Sequence, residues 1–446
     1  MRKLVVILTF WGLAFFGLSL PAFGQASELT GLEAVGVWAK AHNLDYRKAA
    51  WEAQKAFNAI PGLLRLDKSS LALSSQYSGT ASEPVTGTEA GAATASSTTP
   101  TFSASLNLPI VDQLGLSFKT DQDLNGQAGI TISPLAQSTT RDQARLAWEK
   151  AALAAENTGL SVQNSAIKAL LARQNAQRNL KTQESTVSLK EIAYQDQKER
   201  YAQGEATLDA VRDALLEWST ARSTLGKARQ SALKAEADLT LALNTDLDSI
   251  ALPAPDADGL AKELEGLKAA NPVESLTAAL AYEVQNAQKN VSGAKLTFDS
   301  TRLFDPDLVL GANLSYSAKT GTAYSATATL SLSYESWQAD TKAEYRTDLE
   351  LAQASAAKAL ANATMTLNRA VAALADTAEN TSIQKLQLSR NKELLSETDF
   401  LASAGDASQL ELEEARLSVQ ASEDALFSAL SEEYGAWLDL LGYKKK

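Results

Sequence analysis

Residues 308–334 read LVLGANLSYSAKTGTAYSATATLSLSY, and they contain the most informative pattern in the chain. Two runs alternate apolar residues with small or hydroxylated ones, as expected for strands that have one apolar face. Each run has about 11 residues, the length that a tilted strand needs to cross a bilayer. We therefore predict a membrane hairpin, although a soluble hairpin would alternate in the same way. The positions predicted to face lipid are Leu308, Leu310, Leu314, Leu330 and Leu332.

Apolar residues spaced by heptads follow this hairpin and predict a long helix. A seven-residue repeat keeps one apolar stripe against a neighbouring helix and implies left-handed supercoiling. The stripe contains Leu360, Leu367, Leu374, Leu388 and Leu395. Taken alone, it predicts a coiled coil and nothing more specific.

The helical pattern around the hairpin has a counterpart earlier in the chain. When Gly204 is aligned with Gly405, Trp218 falls on Val419 and Leu239 on Leu440 at one constant offset. Internal self-similarity of this length indicates two copies of one structural plan. Each copy is predicted to have a helix, strands, a long helix, a turn and a return helix.

We predict four segments along the chain. They are a signal peptide at 1–24, a first structural repeat at 25–251, a linker at 252–271 and a second structural repeat at 272–446. The signal peptide follows from Arg2 and Lys3, which precede an apolar run and a small-residue site. The linker follows from its Pro and Asp residues. In the first repeat, strands are predicted at 71–78, 102–108, 114–118 and 128–133, with an exposed loop at 79–100.

Composition argues against most enzyme and nucleic-acid functions. The 446 residues include no Cys and a single His, His42, which removes thiol chemistry, histidine metal sites and serine-protease triads. A net charge of −12 disfavours nucleic acid, because phosphate binding needs clustered Lys and Arg. We predict no catalytic site, no cofactor and no metal.

The strand count predicts an oligomer. In each copy, the helices that precede and follow the strands must lie on the same side of the membrane. The strands of each copy therefore cross the membrane an even number of times. We favour two crossings from the first repeat plus a surface hairpin, and four crossings remain open. Unpaired edges are costly in lipid, and four strands cannot close a barrel because small barrels begin at about eight. Three chains of four strands would close a barrel of twelve.

The whole pattern resembles the TolC-like outer membrane efflux protein family. The resemblance rests on the duplicated plan, on Asn271 and Pro272 at the start of the second copy, and on the turns that end at Gly204 and Gly405. It implies a fold that is mainly α with transmembrane β, with duplicated helix-strand-strand-helix repeats. Three copies would form a trimeric 12-stranded β-barrel and a long periplasmic α-helical coiled-coil barrel.

Family resemblance also implies a function and site residues. The chain would be the outer-membrane exit duct of a tripartite efflux or type I secretion system, working with a periplasmic adaptor and an inner-membrane transporter. Tyr201, Gly204 and Gly405 would form the periplasmic tip turns where the adaptor docks.

Gate carboxylates are also carried over from the family. In the second return helix the matching positions hold Glu411 and Glu414, and in the first return helix Asp213 matches one of two positions. Ala210 stands where a carboxylate is expected and Ala407 where an Arg is expected, so the family's locking salt bridges are not predicted here. Rings of carboxylates in a homotrimer would favour cations. A solvated acidic helix face would contain the same residues.

Two other functions remain open. A periplasmic coiled-coil scaffold or adaptor protein would have the same helices and no membrane barrel. A passive porin or adhesin would have the strands and no transporter. The cargo is not predicted by any motif.

Overall fold

The computed structural model describes residues 27–29, 31–60, 70–78, 99–111, 114–121, 126–132, 139–247, 250–301, 304–317, 321–334 and 337–444, and in parts of the strands it describes the backbone alone. The predicted signal peptide at 1–24 lies outside the described residues. So does the predicted loop, except for its last two residues, which belong to a strand.

Eight α-helices occupy most of the described chain. They are α1 Leu32–His42, α2 Leu44–Asn58, α3 Thr139–Ala202, α4 Leu208–Leu243, α5 Ala257–Ala270, α6 Tyr282–Ser300, α7 Trp337–Ala404 and α8 Gln409–Leu440. The two long helices, α3 and α7, have 64 and 68 residues. The sequence predicts these helices at about 139–203 and 338–404, so each observed end lies within one residue of its predicted position.

Eight β-strands complete the described elements. They are β1 Ser27–Glu28, β2 Ser70–Ser78, β3 Thr99–Val111, β4 Leu114–Asp121, β5 Gly126–Ile132, β6 Ile250–Ala251, β7 Phe304–Ser317 and β8 Gly321–Tyr334. β1 and β6 form a small parallel pair, and the other six strands form one antiparallel sheet.

The described residues divide into two compact units. One unit contains 27–47, Gly159–Leu276 and Arg369–Lys444, and the other contains 48–158 and Thr277–Asn368. The first unit is helical and includes both tip turns, whereas the second contains the six-stranded sheet. Each long helix contributes residues to both units.

The first unit has a well-buried apolar core. Fully or almost fully buried side chains come from α1, α3, α4, α5 and α8, and include Leu32, Leu170, Leu239, Leu243, Leu260, Leu264, Phe427 and Leu430. Burial of large aliphatic and aromatic side chains contributes roughly 1.5–3 kcal/mol each to folding. This core is where helices of the two repeats meet.

The sequence from 28 to 60 predicts one continuous helix, whereas the structure has two helices, α1 and α2, separated by Asn43. The Asn43 side-chain oxygen accepts hydrogen bonds from the amides of Asp45 at 2.9 Å and Tyr46 at 3.1 Å, which makes Asn43 the cap of α2. A side chain that satisfies free amides in this way favours a helix start over a continuous helix. His42, just before the break, stacks on Trp38 with ring centroids 3.9 Å apart.

The segment 252–271, predicted as a linker, contains helix α5. The Asp256 carboxylate accepts a hydrogen bond from the Gly259 amide at 2.7 Å and caps the helix. Leu260 and Leu264, one turn apart, are buried. An Asp followed by apolar residues four apart is a helix signal, and the Pro and Asp content of the segment obscured it.

The sheet in the second unit contains four strands from the first repeat and two from the second. Its order is β2-β3-β4-β5-β7-β8, with every neighbouring pair antiparallel. We expected two strands of the first repeat to form a separate surface hairpin, but the structure has all four in the same sheet. The sheet of the single chain is open and does not close into a barrel. The trimer and the barrel of twelve strands stay predictions.

Candidate functional site

The first tip turn joins α3 to α4 through a left-handed glycine. Gly204 has φ of 78°, and its amide donates to the Tyr201 carbonyl at 3.0 Å. The Glu205 amide donates to the Arg200 carbonyl at 2.8 Å. This pair of bonds is a Schellman motif, which satisfies carbonyls that the helix end would otherwise leave free. Tyr201, predicted to lie at the tip, is exposed in the last turn of α3.

The second tip turn, between α7 and α8, has the same geometry. Gly405 has φ of 83°, its amide donates to the Ala402 carbonyl at 3.1 Å, and the Asp406 amide donates to the Leu401 carbonyl at 2.9 Å. A β-carbon at Gly204 or Gly405 would have no neighbour within 4 Å. Backbone conformation, and not crowding, therefore makes glycine the preferred residue at both turns.

Gly405→Ala is expected to lower the stability of the protein by about 1 kcal/mol, because alanine is strained in the left-handed conformation. Gly266→Ala is the matched control: Gly266 lies inside α5 and also has open space around it, so alanine there should stabilise the helix by about 0.5–1 kcal/mol. Thermal unfolding of both variants in detergent measures the difference. Equal shifts of the two midpoints would contradict a strained turn.

Each return helix starts with a side-chain cap three residues after its glycine. The Thr207 hydroxyl accepts from the Ala210 amide at 3.2 Å, and the Ser408 hydroxyl accepts from the Glu411 amide at 3.2 Å. Glu411 returns the contact, because its carboxylate accepts from the Ser408 amide at 2.7 Å and from the hydroxyl at 2.9 Å. Residues Ser408 and Glu411 therefore form a capping box.

The three predicted gate carboxylates differ in their surroundings. Hydrogen bonds from the backbone amide and then the hydroxyl of Ser408 lower the pKa of Glu411, which keeps this exposed carboxyl ionised. Glu414, one turn further along α8, is exposed, as is Asp213 on α4. Glu413, which lies between Glu411 and Glu414 in the sequence, pairs with Arg416 at 2.8 Å. Glu411 thus has a helix-capping role whether or not it lies at a gate.

The four long helices of the first unit are joined side by side by polar contacts. α3 contacts α4 through the Lys190–Glu217 ion pair at 2.9 Å and through the stacked rings of Tyr194 and Trp218, whose centroids are 5.6 Å apart. α7 contacts α8 through the amide of Asn391, which donates to the Ser422 hydroxyl at 2.5 Å.

The contact between α3 and α8 joins the two repeats. The Thr182 hydroxyl donates to the Asp424 carboxylate at 2.5 Å and accepts from the Gln420 amide at 3.0 Å. Arg178 lies over the Phe427 ring, 4.3 Å from its centroid, and is also 3.9 Å from Asp424. Partly buried polar networks of this kind favour one register of the helices when every member is satisfied. The lateral order is therefore α4-α3-α8-α7.

Apolar side chains are exposed on the two edge helices of this array. On α4 they include Leu208, Leu215, Leu233 and Leu241, the last 77% exposed. On α7 they include Ile383, Leu386, Leu394 and Leu401, with Leu386 70% exposed. Their spacings of three, seven, eight and eighteen residues place each set on one helix face. Within the described residues, no side-chain hydrogen bond, ion pair or ring contact joins α4 to α7.

A buried ion pair fastens α5 to α8. Lys268 lies 2.7 Å from Glu433, which is only 2% exposed, and 3.1 Å from Glu265. Desolvation lowers the pKa of Lys268, but the hydrogen bonds to Glu433 and Glu265 outweigh it and raise that pKa above its usual value. Sequence analysis missed this pair because its partners belong to a segment assigned as linker and to a helix far along the chain.

A second group of titratable residues lies near the start of α1. The Leu32 amide donates to the Glu263 carboxylate at 3.3 Å, so a side chain from α5 caps α1. Burial raises the pKa of Glu263, and this effect outweighs the hydrogen bond from Leu32, which lowers that pKa. Burial, and then the charges of Glu263 and Glu33, raise the pKa of Tyr434 to about 12. These contacts also hold α5 in place.

The sheet in the second unit has one apolar and one polar face. Leu310 and Leu314 are 39% and 51% exposed in the single chain, and their contact with lipid stays a prediction. Leu308, Leu330 and Leu332 are placed by strand register, with Leu308 opposite Leu330, but their side chains lie outside the described residues.

On the polar face the strands approach closely. A β-carbon at Gly129 would lie 2.4 Å from the Asn313 oxygen and 2.7 Å from the Ser117 hydroxyl. The polar side chains of neighbouring strands occupy the space that a larger residue at Gly129 would need.

No helix in the described part of the chain combines the length and the apolar character required to cross a membrane. Among the same residues, no group of three or more acidic or histidine side chains is arranged to hold a metal ion.

Solved structures of similar fold include a transmembrane channel, an outer membrane channel and an outer membrane protein. The chain matches CusC with a TM-score of 0.54 and 14% identity over 95% of this chain and 96% of CusC. It matches the Campylobacter jejuni outer membrane channel CmeC with a TM-score of 0.54 and 14% identity over 95% and 90%. It matches the Vibrio cholerae outer membrane protein VceC with a TM-score of 0.52 and 17% identity over 93% and 97%.

No protein-family model and no curated protein matches the sequence. The predicted resemblance to TolC-like channels is therefore confirmed at the level of the fold, by structure.

Proposed function

We propose that this protein is the outer-membrane exit duct of a tripartite efflux or type I secretion system, and neither an enzyme nor a nucleic-acid-binding protein. The observation that carries the proposal is the fold, which pairs a sheet that has one exposed apolar face with an array of long helices that ends in two glycine turns. Solved structures of this fold include the CmeC outer membrane channel and CusC, which forms a transmembrane channel. Three copies would form the duct, as the family resemblance implies.

The sheet supports a location in lipid. Described apolar side chains on one face, including Phe118, Ile130 and Leu314, are 43–51% exposed. Water would make that exposure unfavourable, whereas hydrocarbon would not. The unpaired edges of the open sheet must be satisfied inside a membrane, and copies of the same chain can do so.

The helices support closure by copies of the same chain. The edge helices α4 and α7 carry the exposed apolar stripes, while the inner helices α3 and α8 are joined by partly buried polar contacts. Placing α7 of one copy against α4 of the next would bury both stripes and form a continuous wall of helices. An apolar stripe of this kind normally marks an interface.

The tip turns would form the periplasmic end of the duct. An adaptor protein that docks at Tyr201 and at the turns of Gly204 and Gly405 would separate the helix pairs that these turns join, and an inner-membrane transporter would supply the cargo. The Lys190–Glu217 and Asn391–Ser422 contacts hold the two helices of each pair together, so we expect each pair to move as a body.

Reconstitution of the purified full chain into planar lipid bilayers tests the proposal. We expect discrete conductance steps from a particle that migrates as a trimer in detergent. A processed chain that remains a water-soluble monomer, and that produces no conductance, would contradict the duct and favour a periplasmic scaffold.

The double variant Glu411→Gln with Glu414→Gln is expected to lower the ratio of cation to anion permeability about twofold or more, because rings of carboxylates favour cations. Glutamine at 411 can still accept the hydrogen bonds of Ser408, so the cap is retained while the charge is lost. Asp213→Asn should act in the same direction. Reversal potentials in a salt gradient give the ratio.

Glu413→Gln is the control for the gate variants. It removes one negative charge from the same helix, where the double variant removes two, at a residue that pairs with Arg416. If Glu413→Gln changes selectivity as much as the double variant does, the effect belongs to the overall charge of the helix and not to a gate.

A further inference from the structure

The strands β2 and β3 continue the main sheet and do not form a separate hairpin. β3 pairs with β2 from Thr99 to Asn107, and with β4 from Ser103 to Val111. Each edge of a strand can form backbone hydrogen bonds with only one neighbouring strand, so only one strand can pair with the free edge of β4. In this structure β3 occupies it.

The register carries one apolar row through all six strands. The paired positions, in order from β2 to β8, are Leu71, Leu106, Phe118, Ala128, Leu314 and Tyr324. A slip of one residue between any two strands would move apolar residues to the other face. The continuity of the row therefore places β2 and β3 in the same lipid-facing surface as the other four strands.

A neighbouring row is small and polar through the same six strands. Its paired positions are Ser70, Asn107, Ser117, Gly129, Asn313 and Ser325. Small and hydroxylated residues are typical of the face that lines a channel. A hairpin that lay outside the barrel would not need this pattern to continue in register.

At the end of the sheet away from the helices, only the connection between β2 and β3 is long, whereas those between β4 and β5 and between β7 and β8 have four and three residues. β3 and β4 are joined by only two residues, 112–113, at the end of the sheet where α3 and α7 also connect. β2 and β3 are joined by residues 79–98, at the opposite end of the sheet together with the β4–β5 and β7–β8 connections.

Strand direction identifies the partner of each free edge. Because all neighbours are antiparallel, β2 and β8, at the two edges, run in opposite directions. β8 of one copy can therefore pair with β2 of the next copy in the same antiparallel pattern as the rest of the sheet.

We infer that β8 of each copy pairs with β2 of its neighbour, so that three copies build a wall of eighteen strands. The inference rests on the proposed trimeric duct, and it replaces the count of twelve that four strands per chain would give. Barrel diameter grows roughly linearly with strand number, so the membrane channel would be about 1.5 times as wide as one of twelve strands.

Cysteine cross-linking tests the pairing, because the chain contains no cysteine of its own. Ser74→Cys on β2 is combined in turn with a cysteine at Ser325, Thr327, Thr329 or Ser331 on β8. Four positions are needed because closure of a barrel staggers the strands. Within one chain the two edges are separated by about 24 Å, at roughly 4.8 Å per strand, so a disulfide can form only between copies.

We expect at least one of these double variants, oxidised in outer-membrane vesicles, to give covalent dimers and trimers on non-reducing gels. The control panel replaces Ser74→Cys by Ser117→Cys on β4 and keeps the same β8 positions. The eighteen-strand wall predicts no cross-link from this panel, because β3 already occupies the edge of β4.

The two panels separate this inference from the proposed function. Cross-links from β4 and none from β2 would show a trimer that closes with twelve strands, which overturns the inference and leaves the duct intact. The absence of cross-links from both panels would overturn the inference and the trimeric duct together.

Discussion

Leu310→Arg is expected to remove the protein from the outer membrane. Leu310 lies midway along β7 on the apolar face, opposite Ile132 of β5 and Ala328 of β8. An Arg near the middle of the bilayer costs about 2–4 kcal/mol, and a trimer would carry three of them, roughly 6–12 kcal/mol in all. Such a cost is comparable to the roughly 5–15 kcal/mol by which folded proteins are stable.

Membrane fractionation measures this effect. We expect the amount of trimer in the outer-membrane fraction to fall at least tenfold for Leu310→Arg. Ser325→Arg is the matched control, since it introduces the same side chain on the polar face of β8, opposite Asn313. That variant should insert normally. Normal insertion of Leu310→Arg as well would mean that this face does not contact lipid.

Lys268→Met is expected to lower the free energy of unfolding by about 3 kcal/mol. The substitution leaves the carboxylate of Glu433 without its partner in a site where only 2% of the residue is exposed. Breaking a buried ion pair costs about 3–5 kcal/mol, and the lower end applies because the Lys268 side chain is 30% exposed, so that water can enter when it is removed.

The control for this prediction removes both charges. Lys268→Met combined with Glu433→Leu should recover most of the lost stability, because replacing a buried pair by apolar residues is often close to neutral. If the double variant is as unstable as Lys268→Met alone, then packing around Lys268, and not the unpaired carboxylate, explains the loss. Thermal unfolding of the three proteins separates the two explanations.

The ion pair also predicts a dependence on pH. The pKa of Lys268 is raised above its usual value of 10.5, so the folded protein holds this proton more tightly than the unfolded chain does. The contribution to stability is therefore fully present at neutral pH and is lost as the pH rises beyond about 10.5. The alkaline decrease in stability should be smaller in the variant that lacks both charges.

Local patterns were sufficient for the helices and the turns. The heptad stripes predicted both long helices, and Gly204 and Gly405 predicted both tip turns, because a helix and its Schellman end depend on residues that are only a few positions apart. The alternation of residues 308–334 predicted the β7–β8 hairpin for the same reason, since its strands are neighbours in the chain.

Long-range pairing was predicted less well. The strands of the first repeat were each predicted from local alternation. Their place in a single sheet depends on the pairing of β3 with β4 and of β5 with β7. Short strands with weak alternation are compatible with several pairings, and the choice among them is made by contacts across the whole sheet.

The amino-acid pattern alone predicted the long helices, the glycine turns and the alternating faces of the strands, because each of these follows from hydrogen bonds and periodicities within a few residues. Self-similarity at one constant offset indicated two copies of this plan. Three-dimensional packing alone revealed α5 in place of a linker, the Lys268–Glu433 pair, and a sheet of six strands with β2 and β8 at its edges. These features join residues that are far apart in the chain, and their free energy exists only when the distant partners are brought together.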